Sequence, residues 1–219
     1  MNITLISTIH EESGLCTVSG LYKILLNLKP DVIFLEIPPS HYNQYLIERT
    51  RNNLETAAVK QYLEEYRAEC IPVDIHNVSE EFFKNNQKLH NRVERNSFEY
   101  RRLMDLNSQY QEQYGYKYLN STDCMDIWAN IRKTIRESID RLNDIEIQLI
   151  HQSWNDAIEN RDQEMIKNIY KYSEEHSFTS GVFLVGVAHR QSLMEKAHIA
   201  SVVDSKIINW NYENYENIL

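Results

Sequence analysis

Two histidines stand just beyond apolar runs near opposite ends of the chain. His10 follows the run in "NITLISTIH", and His189 follows "SGVFLVGVAH", where Val182, Phe183, Leu184 and Val185 lead into Gly186. Glu36 closes "VIFLE", and Asp74 and His76 close "IPVDIH" in the same manner. Imidazoles and carboxylates gathered in one place can do two kinds of chemistry. As ligands, His10, Glu36 and His189 offer the N and O donors that a divalent ion such as manganese, cobalt or zinc accepts, with a position left for water. The ion would then lower the pKa of that water. Without metal, His10 serves as a general base oriented by a carboxylate such as Glu12 or Glu36, and His189 meets an oxyanion.

A further charged group belongs to this set. In "SWNDAIENRDQEMIKNIYKY", Trp154, Ile158, Met165, Ile169 and Tyr172 form an apolar stripe at helical spacing, and Arg161 falls in its gap. Burying an unpaired guanidinium costs several kcal/mol, so Arg161 must find an anion there or reach solvent along its stem. Glu36, Asp74 or a substrate anion are its candidate partners. His41, after Pro39 and Ser40, is close enough in sequence to Glu36 to line the same cleft. Glu12, His41, Asp74 and His76 are therefore candidate substrate-binding residues.

Strands must position these groups. "ITLIS", "VIFLE", "CIPVDI" and "GVFLVG" read as buried strands, and "KIINW" as a further one. Pro72 suits an edge strand or a first strand residue. In open α/β sheets, ligands bind beyond the carboxyl ends of the strands, which is where each polar group falls. "LCTVSGLYKILLNL" and "TAAVKQYLEEY" read as helices between strands. The middle is helical. From Thr122, Ile127, Ile131, Ile135, Ile139, Leu142, Ile145 and Leu149 recur every three or four residues, a stripe roughly 40 Å long at about 1.5 Å per residue. Gly115, amid Tyr110, Tyr114, Tyr116 and Tyr118, marks a turn between two long helices; those tyrosines read as helix-hairpin packing or a lid. The expected fold is α/β, with a mixed, largely parallel central sheet flanked by helices. It forms a single domain over residues 1–219, with residues 79–151 as a helical insertion or lid.

The composition narrows the functional classes. There are 23 Lys and Arg against 32 Asp and Glu, a net charge of −9, which argues against nucleic acid or an anionic membrane as partner. No apolar run nears a membrane span, and no basic leader precedes a long apolar region, so a cytoplasmic location is expected. Three scattered cysteines argue against a disulfide framework or a cysteine zinc site. Cys16 sits at a helix start, where thiolates are favoured, although a small buried thiol is the commoner outcome. P-loop, G-x-G-x-x-G, H-E-x-x-H and G-x-S-x-G patterns are all missing.

Gly186-Val-Ala-His189, Ser7-Thr-Ile-His10, "KPDVIFLE", "IPVDIH" and "ENRDQEM" together resemble the superfamily of TraB pheromone-shutdown proteins, Tiki-type proteases, haem-binding ChaN-like proteins and erythromycin esterases. Its marks are two G-x-x-H motifs at strand ends, a glutamate ending the second strand and an arginine on a late helix. They map onto His10, His189, Glu36 and Arg161, with an aspartate at Asp74; Ser7 replaces the first motif glycine. The Tiki-type resemblance implies metal-dependent peptide hydrolysis, and the esterase resemblance implies the metal-free version. TraB- and ChaN-like relatives imply a protein that holds a peptide or haem. A small-molecule or peptide substrate is expected on the first two readings. The long helices suggest a homodimer surface.

Overall fold

Four of these runs become neighbouring strands of one sheet. The structure, a computed structural model, describes residues 1–48, 50–75, 79–203 and 208–212. Strands β1 (Asn2–Thr8), β2 (Val32–Leu35), β3 (Glu69–Pro72), β4 (Ser180–Gly186) and β5 (Asn209–Asn211) lie in the order β3-β2-β4-β1-β5. Every neighbouring pair among the described residues is parallel. The expected α/β class is therefore observed. β3 is an edge strand and carries Pro72 as its last residue, where the missing N–H breaks no ladder. In "KIINW" only Ile208 to Trp210 lie within the described residues, and Asn209 and Trp210 pair with β1.

Parallel strands need crossovers, and helices supply them. They are α1 (Val18–Leu28), α2 (Leu54–Glu65), α3 (Glu80–Asn96), α4 (Phe98–Leu119), α5 (Thr122–Leu142), α6 (Ile145–Glu175) and α7 (Arg190–Val203). Side chains alternate across the sheet. Ile6, Ile33, Leu35, Val182 and Leu184 pack under α1, α2 and helices α3 to α5, while Ile3, Leu5, Phe34, Phe183 and Val185 pack against α6 and α7. Cover on both faces explains why these strands read as continuous apolar runs. Register places Thr8 beside Gly186, Leu35 beside Leu184 and Pro72 beside Leu35, so the carboxyl ends of four strands share one edge.

Two helical expectations need correction. The stripe from Thr122 to Leu149 is not one helix: Asn143 adopts a left-handed conformation that ends α5, and Asp144 caps α6. Ile127, Ile131, Ile135 and Ile139 are buried, but Ile145 and Leu149 are exposed beyond the break. Gly115 (φ +57°) kinks α4 rather than ending it, and the turn into α5 comes at Asn120 and Ser121. The glycine is required there, because a Cβ would lie 2.9 Å from Leu15. Tyr116 and Tyr118 are buried and donate to Thr17 O and Asn107 Oδ1, as packing residues do. Cys16 is fully buried and its thiol is pushed up to about 12 by burial, with Cys124 adding to the shift, so it is no thiolate nucleophile. Among the described residues, no helix is long and apolar enough to cross a membrane.

Candidate functional site

Gly186 lies at the meeting point. A Cβ added there would stand 3.2 Å from Glu36 Oε2, 3.8 Å from His189 Cδ2 and 3.9 Å from His10 Cε1. Three strand-end residues far apart in sequence thus surround a single backbone position. Glycine leaves its N–H open to donate to Glu36 Oε2 at 2.7 Å. Glu36 follows β2 and turns back onto the sheet edge, almost wholly buried.

Arg161 reaches the same carboxylate from α6. Its Nη2 donates to Glu36 Oε1 (2.6 Å) and to Asp74 Oδ2 (2.9 Å), and its Nε donates to Asp74 Oδ1 (3.1 Å). The buried guanidinium thus has two carboxylates, and both acids expected as partners are used. Burial alone would raise the Glu36 carboxyl, but His189, Arg161 and His10 together hold it well below the usual range.

His189 sits in a short 3-10 turn, Val187–His189, directly after β4. Its Nδ1–H donates to Asp162, a fully buried residue next to Arg161 on α6, and its Nε2 faces Glu36 Oε1 at 3.4 Å. Burial would lower its pKa, yet the two carboxylates win and raise it to about 10. His189 is therefore an imidazolium at neutral pH.

His10 is the exposed member, with 60 % of its side chain open to solvent. Its carboxylate partner is neither Glu12 nor Glu36 but Glu55, in the first turn of α2, which accepts from His10 Nδ1 at 3.0 Å. Thr8 Oγ1 donates to the same Glu55 oxygen at 2.6 Å, and Leu54 N donates to His10 O, which docks α2 onto the loop. The Glu55 hydrogen bond dominates over desolvation and raises His10 to about 9. Ring Nε2 is left for a reactant.

Not every expected residue is in the site. Glu12 Oε1 accepts from Val18 N and so caps α1. His41 lies in the turn Pro39–His41 and its Nδ1 accepts from Arg51. His76 lies outside the described residues. Glu55 and Asp162 were missed. Asp162 has a sequence signal, four residues after Ile158 and three before Met165 on the buried stripe, whereas Glu55 has none because only the docking of α2 brings it to His10. Ser7 meets the helical segment: Asn120 Oδ1 accepts from Ser7 N (2.7 Å), Asn120 Nδ2 donates to Ser7 O (3.1 Å), and buried Arg190 Nη1 donates to Ser7 Oγ (3.3 Å). The hydroxyl that replaces glycine thus accepts from a buried guanidinium.

As a metal ligand set, His10, Glu36 and His189 fit badly. Each histidine donates Nδ1–H to a carboxylate, and both Glu36 oxygens accept from Gly186 N or Arg161. Among the described residues, no three His, Cys, Asp or Glu side chains converge as a metal site. The arrangement is suited to proton transfer and anion stabilisation.

The sequence matches no family model and no curated protein. A crystal structure of a Bacillus cereus protein is similar over 89 % of this chain, at 15 % identity and a TM-score of 0.32, and the chain spans 62 % of that protein's length. A likeness of that size leaves the chemistry to be read from the site itself.

Proposed function

We propose that the chain is a hydrolase of an ester or amide bond in a small-molecule or peptide substrate, with His10 as its general base. The observation that carries this reading is the Glu55–His10 pair standing beside the Glu36–His189–Arg161 cluster at Gly186. Glu55 fixes the ring so that Nε2 faces the reactant. In its unprotonated form His10 takes a proton from water while the water oxygen bonds to the carbonyl carbon. The carbonyl electron pair moves onto oxygen, where the His189 imidazolium and Arg161 supply positive charge. When the tetrahedral species collapses, His10 returns its proton to the departing alkoxide or amine. The resemblance to erythromycin esterases and Tiki-type proteases supports the same bond class.

A panel of activated esters and peptide anilides tests the proposal with the wild-type chain and His10→Ala. Turnover by the wild type should fall about 10²- to 10⁴-fold in His10→Ala. Chelator should leave the rate unchanged, as expected of a site without a converging ligand set. Absence of turnover, or turnover that survives His10→Ala, would overturn the hydrolase. The ligand-holding alternative of TraB or ChaN type would then be tested by titration with haem and peptides.

A further inference from the structure

A second cavity lies away from His10. It is a cleft of about 690 Å³ in the helical layer, where α5 and α6 meet α3, α4 and α7. Its walls are aromatic and aliphatic, chiefly Tyr100, Trp128, Ile131, Ile135 and Trp154. Volume and lining are those of a small-molecule site. Two of its lining residues carry buried polar atoms with no partner among the described residues, Asp162 Oδ2 and Trp128 Nε1. Asp162 is fully buried, and its other oxygen is taken by His189. A buried, unanswered carboxylate oxygen is costly, and a donor brought by a ligand would satisfy it.

The charges around the cleft select the donor. Asp156, Glu159, Asp162 and Glu195 face only Arg132 and Arg136. Lys196 answers Glu159, and Arg132 already donates to Gln191, which leaves the lining net negative. His90 and His151 also line it, and burial lowers the pKa of both, so neither adds positive charge at neutral pH. A ligand carboxylate would meet repulsion there. An ammonium group meets Asp162 and the faces of Trp128 and Trp154, which attract cations.

We propose that this cleft binds a small organic amine with an aromatic or alicyclic body, whose ammonium group donates to Asp162 Oδ2. The body stacks among the tryptophans, and an acceptor on the ligand meets Trp128 Nε1–H. The assignment stands independently of whether His10 and His189 turn over a substrate.

Three probes that share one ring test it: 2-phenylethylamine, 2-phenylethanol and phenylacetate, titrated calorimetrically into the intact chain. The amine should bind once per chain, roughly tenfold or more tighter than the alcohol or the acid. Ile158→Trp, which fills the cleft without touching Asp162, should abolish that binding. Asp162→Asn should remove the amine's advantage; should that variant fail to fold, Ile158→Trp alone decides the location. An amine that binds no tighter than the other two, or whose binding survives Ile158→Trp, would overturn the proposal. These outcomes do not depend on hydrolysis, so the two proposals fail separately.

Discussion

At the scale of single residues, the carboxylates that orient His10 and His189 also decide their charge. His10 is raised to about 9, so at pH 7 only about one molecule in a hundred carries the free base. Hydrolysis should therefore rise with pH and level off above about 9. Glu55→Gln removes the main cause of the shift, so the limb should move down toward the ordinary value near 6.5. A pH–rate profile, with the His10 ring protons followed by NMR, checks this; an unmoved limb would mean that another group controls the rate. Glycine at position 186 is a second local matter. Gly186→Ala brings a methyl within 3.2 Å of Glu36 Oε2 and should lower turnover at least tenfold, on the order of 1.4 kcal/mol, while leaving the cooperative unfolding transition in place.

Between elements, two polar clusters hold the site. Arg161 joins α6 to the ends of β2 and β3 through Glu36 and Asp74. Arg161→Met leaves two buried carboxylates without their guanidinium, and should cost about 3–5 kcal/mol in urea unfolding. Asn120 joins the α4–α5 turn to β1 and α7 by bonding Ser7 and Arg190. Asn120→Ala should cost about 1–3 kcal/mol, because the Ser7 amide loses its acceptor in a buried place. An effect within error would show that the helical segment docks by apolar packing alone.

For the whole molecule, the same ion pairs make stability depend on pH. His10 and His189 are raised above their unfolded value near 6.5, so their contribution is full below that value. It is lost as pH rises through about 9 for His10 and about 10 for His189. His189 should dominate, since His10 is largely solvated and its share is screened. Glu36 works in the opposite sense: its contribution is present above the unfolded carboxylate value and is lost only in acid. The unfolding free energy should thus fall between pH 7 and pH 10, and Asp162→Asn should flatten that fall. Urea titrations across this range give the result directly; a flat profile in the wild type would contradict the ion-pair account.

Local pattern alone determined the strands, because a strand covered on both faces must be apolar throughout. It also determined that Glu36, Asp74, His10 and His189 lie at or beyond strand ends, and that Arg161 faces inward on α6. Helix breaks were less legible: Asn143 ends α5 by a left-handed turn that interrupts an unbroken isoleucine period, and periodicity cannot register such a turn. Tertiary structure alone decided which carboxylate meets which histidine. Glu55 belongs to a helix whose own pattern gives no reason to bury an acid, and it reaches His10 only because Leu54 and Thr8 dock α2 beside β1. Contacts between residues 45 or more positions apart depend on how elements pack, and short-range spacing carries no record of that packing.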